Sequence, residues 1–176
     1  MQKIRYRQLI PADYDEYRNV RLDCLKKYPA NFGTTYQEEL NSKSLKLKDA
    51  IKNAGKSKFV FGAFNSDQKL IGICGFLAET RLKTQHRGEI VQMFVDPFYK
   101  RKGIGQTLLQ LSISKAFEKE EIEQIILSAV ASNENAIKLY KKLGFAEYGK
   151  LENYFKSGTQ YTAQSFLYLM KENYLG

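Results

Sequence analysis

The stretch Val91 to Leu109, VQMFVDPFYKRKGIGQTLL, constrains this chain more than any other. An apolar run through Met93, Phe94 and Val95 stops at Asp96-Pro97. A short loop follows, Lys100-Arg101-Lys102-Gly103-Ile104-Gly105, and a helix-periodic segment begins at Gln106-Thr107-Leu108-Leu109. A helix that opens straight out of such a loop leaves its first N–H groups without partners and carries about half a positive charge at that end. Gly103 and Gly105 have no Cβ, so another molecule can approach the backbone closely. Lys100, Arg101 and Lys102 add mobile positive charge. Strand, loop and helix in this order form a phosphate-binding device.

The remaining chain supplies a sheet for that device. Alternation over residues 3–9 predicts a first strand, and a helix follows over about 13–28, ended by Pro29. Residues 29–36 read as a loop hinged at Gly33. Leu47, Ala50, Ile51 and Ala54, spaced i, i+3, i+4, i+7, predict one helix within 37–54 with Gly55 behind it. Strands are predicted at 58–64 and 69–80 as a hairpin, and at 89–95 running into the loop. The helix after the loop reaches about Glu120. Residues 125–130 are continuously apolar, which predicts a strand buried on both faces. A helix over 133–143 and two strands, 146–155 and 161–170, complete the chain. Strand, helix, strand at this spacing is a right-handed βαβ unit with a parallel pair. The expected fold is mixed α/β: a twisted, mostly antiparallel sheet of about 6–7 strands with one parallel pair and helices on both faces. Without a linker or repeat, residues 1–176 read as a single domain.

Composition narrows the partners. A net charge of +9 suits a polyanionic partner such as nucleic acid, an anionic membrane surface or a phosphate-rich small molecule. Six bases against two acids fall within residues 81–102, around the loop. No run of ~18 apolar residues is present to span a membrane, and the charge scattered through the first residues gives no expectation of a signal peptide. Two cysteines, Cys24 and Cys74, make no disulfide framework, so a reduced cytoplasm is expected. With one histidine, His86, and no close cysteine pair, no metal site is expected.

A second block gives the loop its meaning. Val130 to Phe145 reads VASNENAIKLYKKLGF. It resembles the Asn-x-x-Ala-x-x-Leu-Tyr-x-x-x-Gly-Phe run of the GNAT superfamily of N-acetyltransferases through Asn133, Ala136, Leu139, Tyr140, Gly144 and Phe145. Lys100 to Gly105 resembles that family's pyrophosphate loop. The resemblance covers about residues 87–145. It implies acetyl-CoA as co-substrate, no metal, and a primary amine, on a small molecule or a protein, as acceptor. The pyrophosphate would sit on the N–H groups of Arg101, Lys102, Gly103, Ile104, Gly105, Gln106 and Thr107. The pantetheine arm would lie along the strand at Phe94 and Val95, where this strand and the next splay apart, with Asn133 near its amides. Lys100 departs from the family's usual Gln or Arg, which removes a guanidinium fork and leaves the backbone cradle intact.

The chemistry needs a proton donor for the leaving thiolate and a proton acceptor for the attacking amine. The resemblance gives Tyr140 the first role. Glu89, at the start of the strand EIVQMFV, is the candidate base acting through water, with Gln92 a weaker polar candidate. Asn133 also reads as a plain helix cap. The acceptor site is expected opposite the co-substrate, between loop 29–36, the 81–88 connection and the terminal hairpin. Phe32, Tyr36, Tyr154, Phe155 and Tyr161 recur there, either lining a pocket or covering core edges; Glu38 and Glu39 are candidates to attract a cationic amine, and an exposed His86 is a lesser candidate to border the site. Cys24 and Cys74 read as buried small hydrophobes. The rival readings are an acyl-CoA-binding sensor without catalysis and a basic nucleic-acid-binding module. Most aromatics lie on apolar strands and helices, so no nucleic-acid partner and no membrane are expected. A homodimer is left open.

Overall fold

The computed structural model describes residues 3–42, 45–53, 55 and 57–174. Its strands are β1 (Arg5–Gln8), β2 (Lys58–Phe64), β3 (Leu70–Ala78), β4 (Arg87–Val95), β5 (Gln124–Val130), β6 (Ala146–Ser157) and β7 (Gln160–Met170). They form a seven-stranded sheet in the order β1-β2-β3-β4-β5-β7-β6. Every neighbouring pair is antiparallel except β4–β5, which is parallel. The mixed α/β fold expected from the sequence is the observed one, and the parallel pair is the one flanking the glycine loop.

The described residues include five α-helices: α1 (Tyr14–Lys27), α2 (Tyr36–Asn41), α3 (Lys48–Lys52), α4 (Ile104–Phe117) and α5 (Glu134–Lys142); α1, α3 and α4 pack on the sheet and α2 packs on α1. On one face α4 buries Ile104, Leu108, Ile113 and Ala116 against Phe59, Ile71, Phe76 and Ile90. On the other, Tyr17 of α1 and Ile51 of α3 pack on Val60, Phe64, Ile73 and Val91. The two clusters place helices on both faces.

Two expectations are corrected. The single helix within 37–54 is two helices. A capping box starts α2: the Glu38 N–H donates to the Thr35 hydroxyl and the Thr35 N–H donates to the Glu38 carboxylate. Ser42 then turns to extended backbone, and the apolar spacing that starts at Leu47 belongs to α3 alone, with Leu45 and Leu47 buried ahead of it. Ala54 lies outside the described residues. The second correction concerns β5. Ile125 and Leu127 are buried, whereas Ile126 is only partly so and Ser128 is exposed. The cluster under α1 and α3 contains no residue of β5, β6 or β7. The apolar run is therefore covered on one face only.

Candidate functional site

The sheet opens where β4 and β5 part. They pair at Arg87↔Gln124, Gly88↔Ile125 and Glu89↔Ile126, and no further. Beyond Glu89 the β4 edge turns from β5, because β4 carries a bulge. Val91 pairs with Gly75 and Phe94 with Ile73, so Gln92 and Met93 together face Cys74. Gln92 has φ +54, in the left-handed region that a side chain rarely occupies. The Tyr17 hydroxyl donates to Gln92 Oε1 at 2.6 Å. Burial raises the Tyr17 pKa, which keeps its phenol a proton donor. A helix tyrosine thus holds the bulge that splits the sheet.

The split is the floor of a cleft of about 960 Å³. At one end lies the loop. Arg101 has φ +61 and Gly103, the residue capping α4, has φ +74. Among the described residues the N–H groups of 101–106 find no acceptor; Thr107 is the first to bond back, to the Gly103 carbonyl at 3.0 Å. Consecutive free N–H groups at a helix start make an anion-binding concavity. A Cβ at Gly103 would meet nothing within 4 Å, so glycine is needed there for its positive φ. Lys100, Arg101, Gly103, Ile104, Gly105 and Gln106 all line the cleft. Lys102 and Thr107 do not. The Lys102 ammonium sits over the Tyr99 ring at 5.2 Å, and the Thr107 hydroxyl donates to Gly103 O at 3.3 Å.

Phe94, Val95, Asn133 and Tyr140 line the middle. Asn133 caps α5, its side chain accepting from the Ala136 N–H at 3.4 Å. Tyr140 is buried to 6%, packs edge-on against Phe145, and has no hydrogen-bond partner for its hydroxyl among the described residues. Burial raises its pKa, with a smaller contribution from Cys74. Its phenol is therefore protonated throughout the physiological range. Glu89 lies on the cleft wall with Lys46, whose ammonium is 3.5 Å from its carboxylate.

Phe32, Tyr154 and Phe155 line the other end, while Tyr36 and Tyr161 stand outside it. Loop 29–36 closes against the hairpin there: a Cβ on Gly33 would fall 2.6 Å from the Phe155 ring. Three expectations fail at this end. Glu38 is occupied capping α2. Glu39 is buried and paired with Arg21 at 3.4 Å, not exposed to an amine. His86 is partly buried and lies off the cleft, as does the whole 81–88 connection; Arg87 borders a separate hollow. Cys24 and Cys74 are wholly buried, which pushes their thiols up to about 11 and about 12.

Sequence reasoning missed two residues. Arg21 lines the cleft beneath Phe32, its guanidinium 5.1 Å from the ring centroid. Gln164 of β7 lines it too, 7% exposed with Oε1 unpartnered. The one signal for Gln164 was an amide inside an otherwise aromatic strand, YTAQSFLY. No group of His, Cys, Asp and Glu that could hold a metal occurs among the described residues. Nor is any helix among them long and apolar enough to cross a membrane.

The Tyr17–Gln92 contact has a measurable consequence. Tyr17→Phe is expected to cost about 1–2 kcal/mol in urea denaturation, because it strands the Gln92 amide. In a Gln92→Gly background, where glycine accepts φ +54 unaided, the same change is expected to cost under about 0.5 kcal/mol. Equal costs in both backgrounds would mean the hydroxyl does not hold the bulge.

Known proteins share this fold. The acetyltransferase (GNAT) family model matches residues 19–145. An N-alpha-acetyltransferase of Sulfurisphaera tokodaii is 42% identical over 72 residues, 41% of this chain and 43% of that protein. The chain spans about half the length, or less, of the known relatives it matches first. Among solved structures, a phosphinothricin acetyltransferase from Sinorhizobium meliloti in complex with acetyl-CoA superposes with TM-score 0.80 at 18% identity, over 95% of this chain and 88% of that one. A spermidine N-acetyltransferase from Vibrio cholerae in complex with CoA and spermine gives 0.72 at 21%, over 98% of both chains. At these identities the solved structures speak for the fold.

Proposed function

The chain belongs to the acetyltransferase (GNAT) family, and on that premise we propose that it moves the acetyl group of acetyl-CoA to a primary amine by direct attack in a ternary complex. The observation that carries this reading is one continuous cleft. It runs from six free N–H groups at the start of α4 to a buried, unpartnered phenol at Tyr140. The residues present fit acetyl-CoA. A pyrophosphate needs donors without competing partners, and the N–H groups of Arg101 to Gln106 supply them beside Lys100 and Arg101. Lys102 and Thr107 act from just outside, as added charge and as the next turn of the helix. A pantetheine arm needs an open strand edge, which β4 has at Phe94 and Val95 once β5 has turned away. Asn133 stays with its capping bond and offers its remaining amide atoms to that arm.

Each protein group then has one task. The β4 edge N–H groups at the bulge stabilise the charge that develops on the thioester oxygen. Glu89, through a water, takes the proton that the ammonium must lose before its nitrogen can attack. As the new C–N bond forms and the C–S bond breaks, Tyr140 gives its proton to the departing sulfur, and the second proton that the nitrogen sheds on becoming an amide returns through water to the Tyr140 oxygen. The aromatic end, with Phe32, Tyr154 and Phe155, holds the body of the acceptor. Relatives are named for acetylation at an α-nitrogen and at spermidine N1, and these support an acceptor here of either kind, an α-amine or a polyamine.

Release of free CoA thiol tests the reading. With acetyl-CoA and a panel of a free-N-terminus peptide, spermidine and a simple alkylamine, at least one amine should accelerate release above the hydrolytic background. Tight acetyl-CoA binding with no amine-dependent release across a broad panel would favour a sensor instead.

A further inference from the structure

Beside the cleft, on the sheet face that α1 and α3 leave open, is a smaller hollow of about 310 Å³. Arg87, Gln124, Ile126, Tyr148 and Tyr168 line it. The strand register brings them together: Arg87 is level with Gln124 across β4–β5, and Ile126 is level with Tyr168 across β5–β7. Arg87 is partly buried, and its Nε is buried with no hydrogen-bond partner. Among the described residues no carboxylate lies within ion-pair distance of its guanidinium, and no ring stacks on it. The guanidinium itself stays partly exposed, but its Nε–H has lost water without gaining an acceptor and no carboxylate offsets its charge, so this position favours an anion from outside the chain.

We infer that this hollow is a distal subsite of the acceptor groove and takes an anionic group, a carboxylate, carried by the acceptor. The inference rests on the acetyltransferase reading for the identity of the groove, and on the hollow for the anion. Its geometry is continuous with the cleft. Arg87 and Glu89 are alternate residues of β4 on one face, roughly 7 Å apart along the strand. Glu89 lines the cleft, and Ile126, which is level with Glu89, lines the hollow. An amine held near Glu89 would therefore place a group a few bonds away over Arg87. The chemistry of the hollow is that of an anion site. The two terminal N–H groups of a guanidinium form an end-on pair that matches a carboxylate. Two tyrosine hydroxyls can add donors. The Gln124 amide donates only to the Met170 sulfur, a weak acceptor it can relinquish. Ile126 and the two tyrosine rings line the rest of the hollow. The substrate class is an amine with a carboxylate two to three residue lengths away, such as a peptide amine followed by an acidic side chain.

Two measurements separate the subsite from the acetyltransferase reading. The first does not involve acetyl transfer: the unfolding midpoint at fixed ionic strength, with glutarate or its uncharged analogue glutaramide. Glutarate should raise the wild-type midpoint by several degrees and glutaramide should not, while Arg87→Met should respond to neither. Arg87→Met alone should be at least as stable as the wild type, since no group among the described residues pairs with Arg87. A marked loss of stability, or an equal glutarate response in both proteins, overturns the subsite. The second compares acceptor peptides differing only by Glu or Gln near a free N-terminus. The wild type should show a KM at least about 10-fold lower for the Glu peptide, and Arg87→Met a ratio near one. Transfer to both peptides with equal KM in the wild type refutes the subsite and leaves the acetyltransferase standing. Glutarate binding that depends on Arg87, with no transfer to any amine, refutes the acetyltransferase and leaves the anion site.

Discussion

Tyr140→Phe is expected to lower kcat by about 100-fold or more while leaving the KM for acetyl-CoA within about twofold. The phenol is buried at the centre of the cleft, has no protein partner among the described residues, and stays protonated because burial disfavours its anion. Phenylalanine keeps the ring and its edge-on contact with Phe145, so fold and co-substrate binding survive and only the proton is lost. The split between kcat and KM is the informative readout. A rise in KM with unchanged kcat would mean that Tyr140 packs the arm and donates nothing. The deficit should shrink for a thioester whose leaving thiol is more acidic, since that thiolate leaves without a proton.

The largest effect on stability is expected at the other end of the cleft. Glu39→Ala should cost about 3–5 kcal/mol, because it leaves Arg21 as a buried charge without its partner. Arg21 and Glu39 are 3% and 7% exposed, and the Nε–Oε1 distance is 3.4 Å. In a chain of this length that loss lowers the unfolding midpoint by roughly 6–20 °C. The double replacement Arg21→Met with Glu39→Leu removes both charges and should recover most of it. If Glu39→Ala shifts the midpoint by less than a few degrees, Arg21 has found water and the pair is not the clasp between α1 and α2. The clasp matters for function because Arg21 supports Phe32 on the cleft wall.

Local features of this fold are written locally. The strand, glycine loop and helix of residues 91–109, and the helix that ends at Gly144-Phe145, are contiguous in sequence and appear in the structure with nearly the expected bounds. What escaped the sequence is non-local. Tyr17 meets Gln92 across 75 positions, and nothing in the chemistry of glutamine marks it for a positive φ. Glu39 looked like an exposed acid because its neighbour Glu38 is one; only the return of α2 onto α1 puts Arg21 against it. The apolar run in β5 predicted cover on both faces, but α1 and α3 reach only as far as β4. The helix expected within 37–54 failed because apolar spacing was read without the extended turn at Ser42. Arg87 was counted among the charges near the loop, and its lack of a partner became visible only when β4, β5 and β7 were set side by side.

The most direct test of the cleft is thermal unfolding with acetyl-CoA, with ATP and a short DNA duplex as controls. A ligand present at ~100 times its dissociation constant adds about 2.7 kcal/mol. For this chain length the midpoint should then rise by roughly 5–11 °C. The expected result is a rise of that size with acetyl-CoA and little with either control. No rise with acetyl-CoA, together with a rise on the duplex, would make the α4 terminus a general anion site and contradict the acetyltransferase reading.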